Sequence, residues 1–268
     1  MRWSNKESDI YCRTMEGEKK YNTGLILSGG AARGFAHAGI LKALHEWRIE
    51  PEIISGVSAG SIVGAFYADG FSPEEILEIF DRKRLFRFVR ICAPGSGFLE
   101  MSGLKDSLKR NLRHYTFKEL KKPLWITVTN YRSGQPEYIH QGDVIDAVIA
   151  SSSIPVLFRP QKINGNFYID GGITNNFPVE PIVKDCNRLI GAYVNPVGNI
   201  SKPKGVFHTA LRSFQLSISS RIIEKKKKMT IFIEPVKLAG YGLFEVARGK
   251  EMFEIGYEAA VEVLKKYT

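Results

Sequence analysis

The residues best equipped for chemistry lie in Gly56-Val57-Ser58-Ala59-Gly60, a Gly-x-Ser-x-Gly pattern. This pattern is a nucleophile elbow when a strand leads in and a helix leads out. The turn then lifts one hydroxyl above the end of a sheet and strains its backbone. Pro51-Glu52-Ile53-Ile54 reads as a short buried strand, and Ser61 to Ala68 reads as a helix. Gly56 and Gly60 suit the close approach of turn, strand and helix. An ordinary Gly/Ser-rich turn has the same composition, so Ser58 needs partners before it can be read as a nucleophile.

A serine nucleophile needs a place for developing negative charge and a group that takes its proton. The first is offered by Ser28-Gly29-Gly30-Ala31-Ala32-Arg33-Gly34, between a buried-strand run and a helix. Small residues let backbone N–H groups face an open site, and a helix N-terminus favours an anion. Both a phosphate or dinucleotide loop and an oxyanion hole fit that description. The Gly-x-Gly-x-x-Gly fingerprint fails at Ala31, and no Lys-Ser/Thr pair follows as in a P-loop. The serine elbow downstream favours the oxyanion hole.

For the proton, Asp170-Gly171-Gly172 closes the strand expected over Phe167 to Asp170. A carboxylate there would share the rim of a parallel sheet with Ser58, although a turn aspartate looks the same. The five histidines are His37, His45, His114, His140 and His208. None lies in a small-residue loop late in the chain, where an α/β-hydrolase order would put the base. His37 is the nearest to the glycine-rich loop and reads otherwise as a helix-face residue. A Ser–Asp dyad is therefore the economical reading. Partial desolvation would raise the basicity of Asp170.

The elements that must position these groups alternate along the chain. Strands are expected at Thr23 to Ser28, Leu124 to Thr129, Leu189 to Val194 and Met229 to Ile233. Helices are expected from about Phe35 to Trp47, Leu104 to Leu112, Val206 to Ile223 and Gly249 to Lys266. Ser72-Pro73-Glu74-Glu75 starts another as a capping box, and Gly142-Asp143 opens one through about Ser152. Residues 91–103 read as a mobile loop. The alternation implies a largely parallel sheet covered on both faces. No internal repeat or linker appears, so the chain is read as an arm over residues 1–20 and one domain over 21–268.

With 268 residues and 44% hydrophobic residues the chain can bury a sizeable core. No apolar run reaches the roughly 20 residues that span a bilayer, and no signal peptide is seen, so the expected location is cytoplasmic. Cys12, Cys92 and Cys186 are widely spaced and suggest neither a metal site nor a disulfide framework. The formal net charge is +10. The lysine run Lys225 to Lys228 reads as a solvated face. Arg82 to Arg90 interleaves basic and apolar residues, which suits peripheral contact with an anionic membrane surface. No nucleic-acid-binding signature is present.

Taken in order, the Ser28–Gly34 loop, the Gly56–Gly60 elbow and Asp170-Gly171-Gly172 resemble the three motifs of patatin-like phospholipases. Ile149 to Pro160 resembles the Ala-Ser-x-Ser-x-Pro segment that precedes the aspartate in that family. The resemblance covers about residues 22–195. It implies a three-layer α/β/α sandwich related to cytosolic phospholipase A2 and the neuropathy-target-esterase domain. It also implies Ser58 as nucleophile, Asp170 as base, and an oxyanion hole of the Gly29, Gly30 and Ala31 amides. Arg33 would place the loop or a phosphate, and Gly34, Gly56, Gly60, Gly171 and Gly172 would support the motifs. The family's usual glycine is alanine at position 31, which matters if the turn needs a positive φ. The expected activity is hydrolysis of lipid acyl esters, phospholipid or lysophospholipid, without metal or cofactor. An acyltransferase or thioesterase, and a non-catalytic lipid-surface module, are the alternatives. Malonyl-transferase-like relatives carry histidine before the serine, where this chain has Val57.

Overall fold

The computed structural model describes residues 19–81, 90–91, 99–155, 157–198, 205–219 and 222–267. Nearly all of the arm expected over 1–20 and of the basic segment 82–90 lies outside these residues, as does Val156. The strands are β1 (Tyr21–Leu27), β2 (Ile53–Val57), β3 (Arg90–Ile91), β4 (Leu99–Glu100), β5 (Leu124–Asn130), β6 (Pro136–Ile139), β7 (Gln161–Ile163), β8 (Asn166–Asp170), β9 (Cys186–Ala192) and β10 (Ile231–Ile233). The helices are α1 (Phe35–Glu46), α2 (Ala59–Ala68), α3 (Pro73–Asp81), α4 (Ser102–Asn111), α5 (Val144–Ser151), α6 (Gly172–Asn175), α7 (Val206–Ser219), α8 (Ile222–Lys226) and α9 (Gly249–Leu264).

Hydrogen-bonded neighbours run β10-β9-β1-β2-β5-β8-β7, with β6 also on β5. The pairs from β10 to β5 are parallel, whereas β6, β7 and β8 pair antiparallel. The sheet is thus largely parallel, as the alternating pattern implies, with an antiparallel edge that the pattern does not show. β1 shows why the sheet must be covered on both faces. Leu25 and Leu27 enter one apolar cluster with α1, α2 and α9, while Ile26 enters a second with Phe177, Val179 and Tyr193. All three β1 side chains have 0% exposure, and each such burial stabilises the fold by about 1.5–3 kcal/mol. The second face is closed mainly by the segment 177–183 and by Ile222 of α8.

Several helix boundaries follow from end chemistry. Ser72 and Glu75 exchange hydrogen bonds of 2.7 and 3.1 Å at the start of α3, as a capping box requires. Asp143 caps α5 by accepting from the Asp146 N–H at 2.8 Å. The helix expected from Val206 to Ile223 is two helices, α7 and α8, on either side of residues 220–221, which lie outside the described set. Part of the expected loop over 91–103 is ordered, since β3 and β4 form a short antiparallel pair and α4 begins at Ser102. The lysine run is not uniformly solvated. The Lys225 side chain is only 18% exposed and pairs with Glu180 at 2.8 Å. The run was expected to be a solvated face, and no local pattern signals a partner so far away in sequence.

Candidate active site

Ser58 follows β2 directly and precedes α2, with φ 50° and ψ −122°. Serine rarely adopts this conformation, and holding it costs roughly 1–3 kcal/mol. The neighbouring glycines make the turn sterically feasible. A Cβ on Gly56 would meet the Gly60 carbonyl oxygen at 2.6 Å, and one on Gly60 would meet the Ser28 carbonyl oxygen at 2.6 Å.

The register of β5 explains how Asp170 reaches Ser58. Thr127 pairs with Val57 on one side and Tyr138 on the other, while Val128 pairs with Asp170 and Glu137. Since β6 occupies one edge of β5, β2 and β8 must share the opposite edge and meet end to end. β8 therefore comes down from beyond the rim and stops where β2 stops. The carboxylate was expected on the same rim as Ser58; it lies there, but β8 runs antiparallel and reaches that rim from the other direction. Gly171 sits at the junction, where a Cβ would press on the Thr127 carbonyl and come within 2.9 Å of Val57.

Ser58 Oγ donates to Asp170 Oδ2 at 2.7 Å, and the Gly172 N–H donates to Asp170 Oδ1 at 2.7 Å. Asp170 is 3% exposed and Ser58 is 7% exposed. Burial pushes the Asp170 carboxyl up from 3.8 to about 6, against the two hydrogen bonds that favour its ionised form. Two residues of the 149–160 segment brace the pair. Ser151 Oγ accepts from the Ser58 N–H at 2.8 Å and donates to the Thr127 carbonyl at 2.6 Å. The Ser153 carbonyl accepts from the Asp170 N–H at 2.9 Å. Thr129 Oγ1 lies 2.9 Å from the Asp170 carbonyl oxygen, as its donor. Ser151 lies in the Ala-Ser-x-Ser-x-Pro segment of the sequence, but its contact with Ser58, like that of Thr129 with Asp170, connects residues far apart in the chain.

The Ser28–Gly34 loop closes the other side. Gly30, Ala31, Ser58, Asp170, Leu243 and Phe244 are among the walls of a cavity of about 30 Å³. The Gly29 N–H is already donated to the Asn176 carbonyl at 3.2 Å. Among the described residues, the Gly30 and Ala31 N–H groups have no such partner. Ala31 has φ 48°, so this turn does adopt the positive φ that glycine tolerates best. Gly34 packs against the first residue of α2, where a Cβ would lie 2.8 Å from that of Ala59.

Arg33 is a strut and not an open phosphate ligand. Its guanidinium is buried and donates to the Tyr241 carbonyl at 2.7 and 3.1 Å, the Pro196 carbonyl at 3.3 Å and Asn195 Oδ1 at 3.4 Å. Burial lowers its pKa to about 10, which leaves it charged at neutral pH. His37 supports the same loop. It is fully buried, its Nε2 lies 2.8 Å from the Ser28 carbonyl, and burial lowers its pKa to about 4. A neutral ring with Nε2–H donated to a carbonyl has no lone pair aimed that way. The other described histidines are engaged elsewhere: His45 with Tyr67, His114 with Asp69, and His140 stacked on Trp125 at 3.7 Å. The His208 side chain lies outside the described set. Among the described residues, no group of three or more His, Cys, Asp or Glu could hold a metal ion, and no helix is long and apolar enough to cross a membrane.

A strained serine turn facing a buried carboxylate and a glycine-rich loop, at the rim of a mostly parallel sheet, marks a mixed α/β protein. The profile of the patatin-like phospholipases matches residues 25–183, and the chain belongs to that family. It is 25% identical over 280 residues to a lysophospholipase of Aspergillus fumigatus, covering 91% of this chain and 18% of the relative. It is 31% identical over 189 residues to a lysophospholipase of Kluyveromyces lactis, covering 67% and 13%. An NTE family protein of Mycobacterium tuberculosis is 26% identical over 170 residues, with 63% and 47% covered. The chain thus spans under a fifth of these fungal relatives and about half of the mycobacterial one. The crystal structure of VipD from Legionella pneumophila shares the fold, with a TM-score of 0.53, 17% identity, and 92% and 67% coverage.

Proposed function

We propose that the protein hydrolyses acyl esters of phospholipids or lysophospholipids through an acyl-Ser58 intermediate, with Asp170 as its base. The observation that carries this reading is the 2.7 Å hydrogen bond from Ser58 Oγ to a buried Asp170 carboxylate whose pKa is raised to about 6. Such a carboxylate is ionised at neutral pH yet basic enough to receive a proton in the transition state. The Ser58 proton passes to Asp170 as Oγ attacks the ester carbonyl carbon. The oxyanion forms against the Gly30 and Ala31 N–H groups and the N-terminus of α2. Collapse of the intermediate breaks the bond to the alcohol, which leaves with the proton from Asp170. Water then repeats the sequence and frees the fatty acid. The names of the fungal relatives favour a lysophospholipid as substrate. The contribution of Gly29 is to fix the loop through Asn176.

The test is fluorophosphonate labelling with turnover of lysophosphatidylcholine and p-nitrophenyl butyrate by wild type, Ser58→Ala and Asp170→Asn. Losses of at least about 10³-fold in both variants are expected. Labelling that persists in Ser58→Ala would overturn the nucleophile. Full turnover by Asp170→Asn would overturn the base. Lysophospholipid binding without labelling or turnover by the wild type would favour the non-catalytic alternative.

A further inference from the structure

Asn176 touches both halves of the site. It follows the short helix α6 directly and is 7% exposed. Its backbone carbonyl takes up the Gly29 N–H at 3.2 Å, which removes one of the three loop amides that could have faced an oxyanion. Its carboxamide lies close to the amide so removed. A Cβ on Gly29 would strike Asn176 Oδ1 and lie 3.4 Å from Ser58 Cβ. A Cβ on Gly172 would lie 2.7 Å from Asn176 Oδ1 and 2.9 Å from Asp170 Oδ1. The carboxamide is therefore wedged between the glycine loop and the aspartate turn, next to the serine. Asn176 joins Gly30, Ala31, Ser58 and Asp170 in the wall of the pocket of about 30 Å³.

The hydrogen-bonding capacity of that carboxamide is not used up. Nδ2 is buried and has no hydrogen-bond partner among the described residues. A primary amide carries two N–H donors, and a buried donor left unpaired is costly and rare enough to call for a reason. The acceptors nearby are already engaged. Asp170 Oδ2 receives from Ser58 Oγ and Oδ1 from the Gly172 N–H, while the Ser28 carbonyl faces His37 Nε2. What is missing is an acceptor that arrives with the substrate. The pocket has room for one water-sized group, for which about 10–15 Å³ suffices, and the oxygen of a tetrahedral intermediate is such a group.

We propose that Asn176 is a further catalytic residue: its Nδ2 donates to the oxyanion formed on the substrate carbonyl, beside the Gly30 and Ala31 N–H groups and in compensation for the Gly29 amide. The proposal rests on the ester-hydrolase reading above. As Ser58 Oγ bonds to the carbonyl carbon and its proton passes to Asp170, the C=O π pair moves onto the carbonyl oxygen. That oxygen is the acceptor that Nδ2 lacks in the free enzyme. When the carbonyl re-forms, the alcohol leaves with the proton from Asp170 and the charge facing Nδ2 is lost. A donor used in this way lowers the barrier without tightening substrate binding.

The test compares wild type, Ser58→Ala and Asn176→Ala in turnover of p-nitrophenyl butyrate and in inhibition by trifluoromethyl dodecyl ketone and methyl dodecyl ketone. The first ketone adds Ser58 Oγ and holds a tetrahedral oxyanion; the second fills the same space and stays a ketone. Asn176→Ala keeps the backbone bond to Gly29. Its kcat should fall about 10²–10³-fold, the range for one oxyanion donor, with KM within about threefold of wild type. Inhibition by the trifluoromethyl ketone should weaken about 10²-fold, with methyl ketone binding unchanged. The acidic limb of kcat/KM should stay where wild type has it. An unchanged kcat, or a loss confined to KM, overturns the proposal. Equal weakening of the two ketones, or a displaced limb, also overturns it, because Asn176 would then act through the shape of the loop or through Asp170. If Asn176→Ala does not fold, Asn176→Asp takes its place. When ionised it keeps the shape and offers only acceptors, so a comparable loss of kcat is expected and full kcat overturns the proposal. Failure of the hydrolase reading shows separately, as wild-type turnover no greater than that of Ser58→Ala.

Discussion

Replacing Asp170 by asparagine should abolish turnover and make the protein more stable, and the size of the gain can be worked out. Burial raises the carboxyl from 3.8 to about 6. A carboxyl that holds its proton more tightly when folded binds more protons in the native state between those two pH values. Stability therefore falls as pH rises through that window, and the full penalty is present above about pH 6. At about 1.4 kcal/mol per pKa unit, the gap corresponds to about 3 kcal/mol. Asparagine carries no such penalty, can still accept from the Gly172 N–H, and gives up the acceptor for Ser58 Oγ, which costs about 1 kcal/mol. Above pH 7 the variant should be more stable by about 2 kcal/mol, or roughly 4–8 °C in Tm for a chain of this size. Below about pH 4 that advantage should vanish. Paired thermal melts from pH 4 to pH 8 measure the difference and cancel titrations common to both proteins. Identical pH slopes in wild type and Asp170→Asn would refute the reasoning, as would a variant less stable at pH 8 than at pH 4 relative to wild type.

Other variants probe the same geometry. Ser58→Gly should be about 1 kcal/mol more stable than Ser58→Ala in chemical denaturation, because only glycine tolerates φ 50° and ψ −122° without strain; equal stabilities would mean the turn relaxes. Ala31, at φ 48°, should accept glycine within about 1 kcal/mol and with undiminished turnover. Valine there should lower both stability and kcat, since a β-branched residue fits that conformation poorly. Arg33→Ala should cost about 2–4 kcal/mol by stranding the carbonyls it joins. If Arg33→Lys instead kept its stability and lost activity only on phosphate-bearing substrates, a phosphate role would return. The ascending limb of kcat/KM should lie near pH 6, set by Asp170, and stay there in His37→Gln; a limb that moves would bring a histidine back into the mechanism.

The parts of the site legible in the sequence are those where one short segment does one job. The elbow glycines, the capping box at Ser72 and the strand–loop–helix around Gly30 each show their physical reason locally. Asp170 was legible as a rim carboxylate, but its strand direction was not. That depends on β2 and β8, more than a hundred residues apart in the chain, sharing one edge of β5. β6 and β7 were missed because they are short, half-exposed strands with weak alternation. The role of Arg33 was left between a strut and a phosphate ligand because its acceptors, Tyr241 and Pro196, come from distant loops. The lysine run misled for the same reason: Lys225 belongs to a buried network, while Lys226 and Lys227 are exposed.

The end-to-end meeting of β2 and β8 also explains why the proposed base would be a carboxylate. Ser58 Oγ and Asp170 Oδ2 are in direct hydrogen-bond contact at 2.7 Å, so no imidazole fits between them. Without histidine, a base useful at neutral pH must come from raising a carboxylate, and burial is the means the fold provides. Burial has limits set by the same junction. The Gly172 N–H and the Ser58 hydroxyl both stabilise the ionised form and hold the pKa below where desolvation alone would put it. The antiparallel approach of β8 supplies that balance, because it ends the strand at a Gly-Gly turn whose first free amide points back at the carboxylate. In the proposed mechanism, Asp170 is thereby basic enough to take a proton and acidic enough to be ionised when an ester arrives. The stability it costs and the chemistry it allows come from one desolvated position.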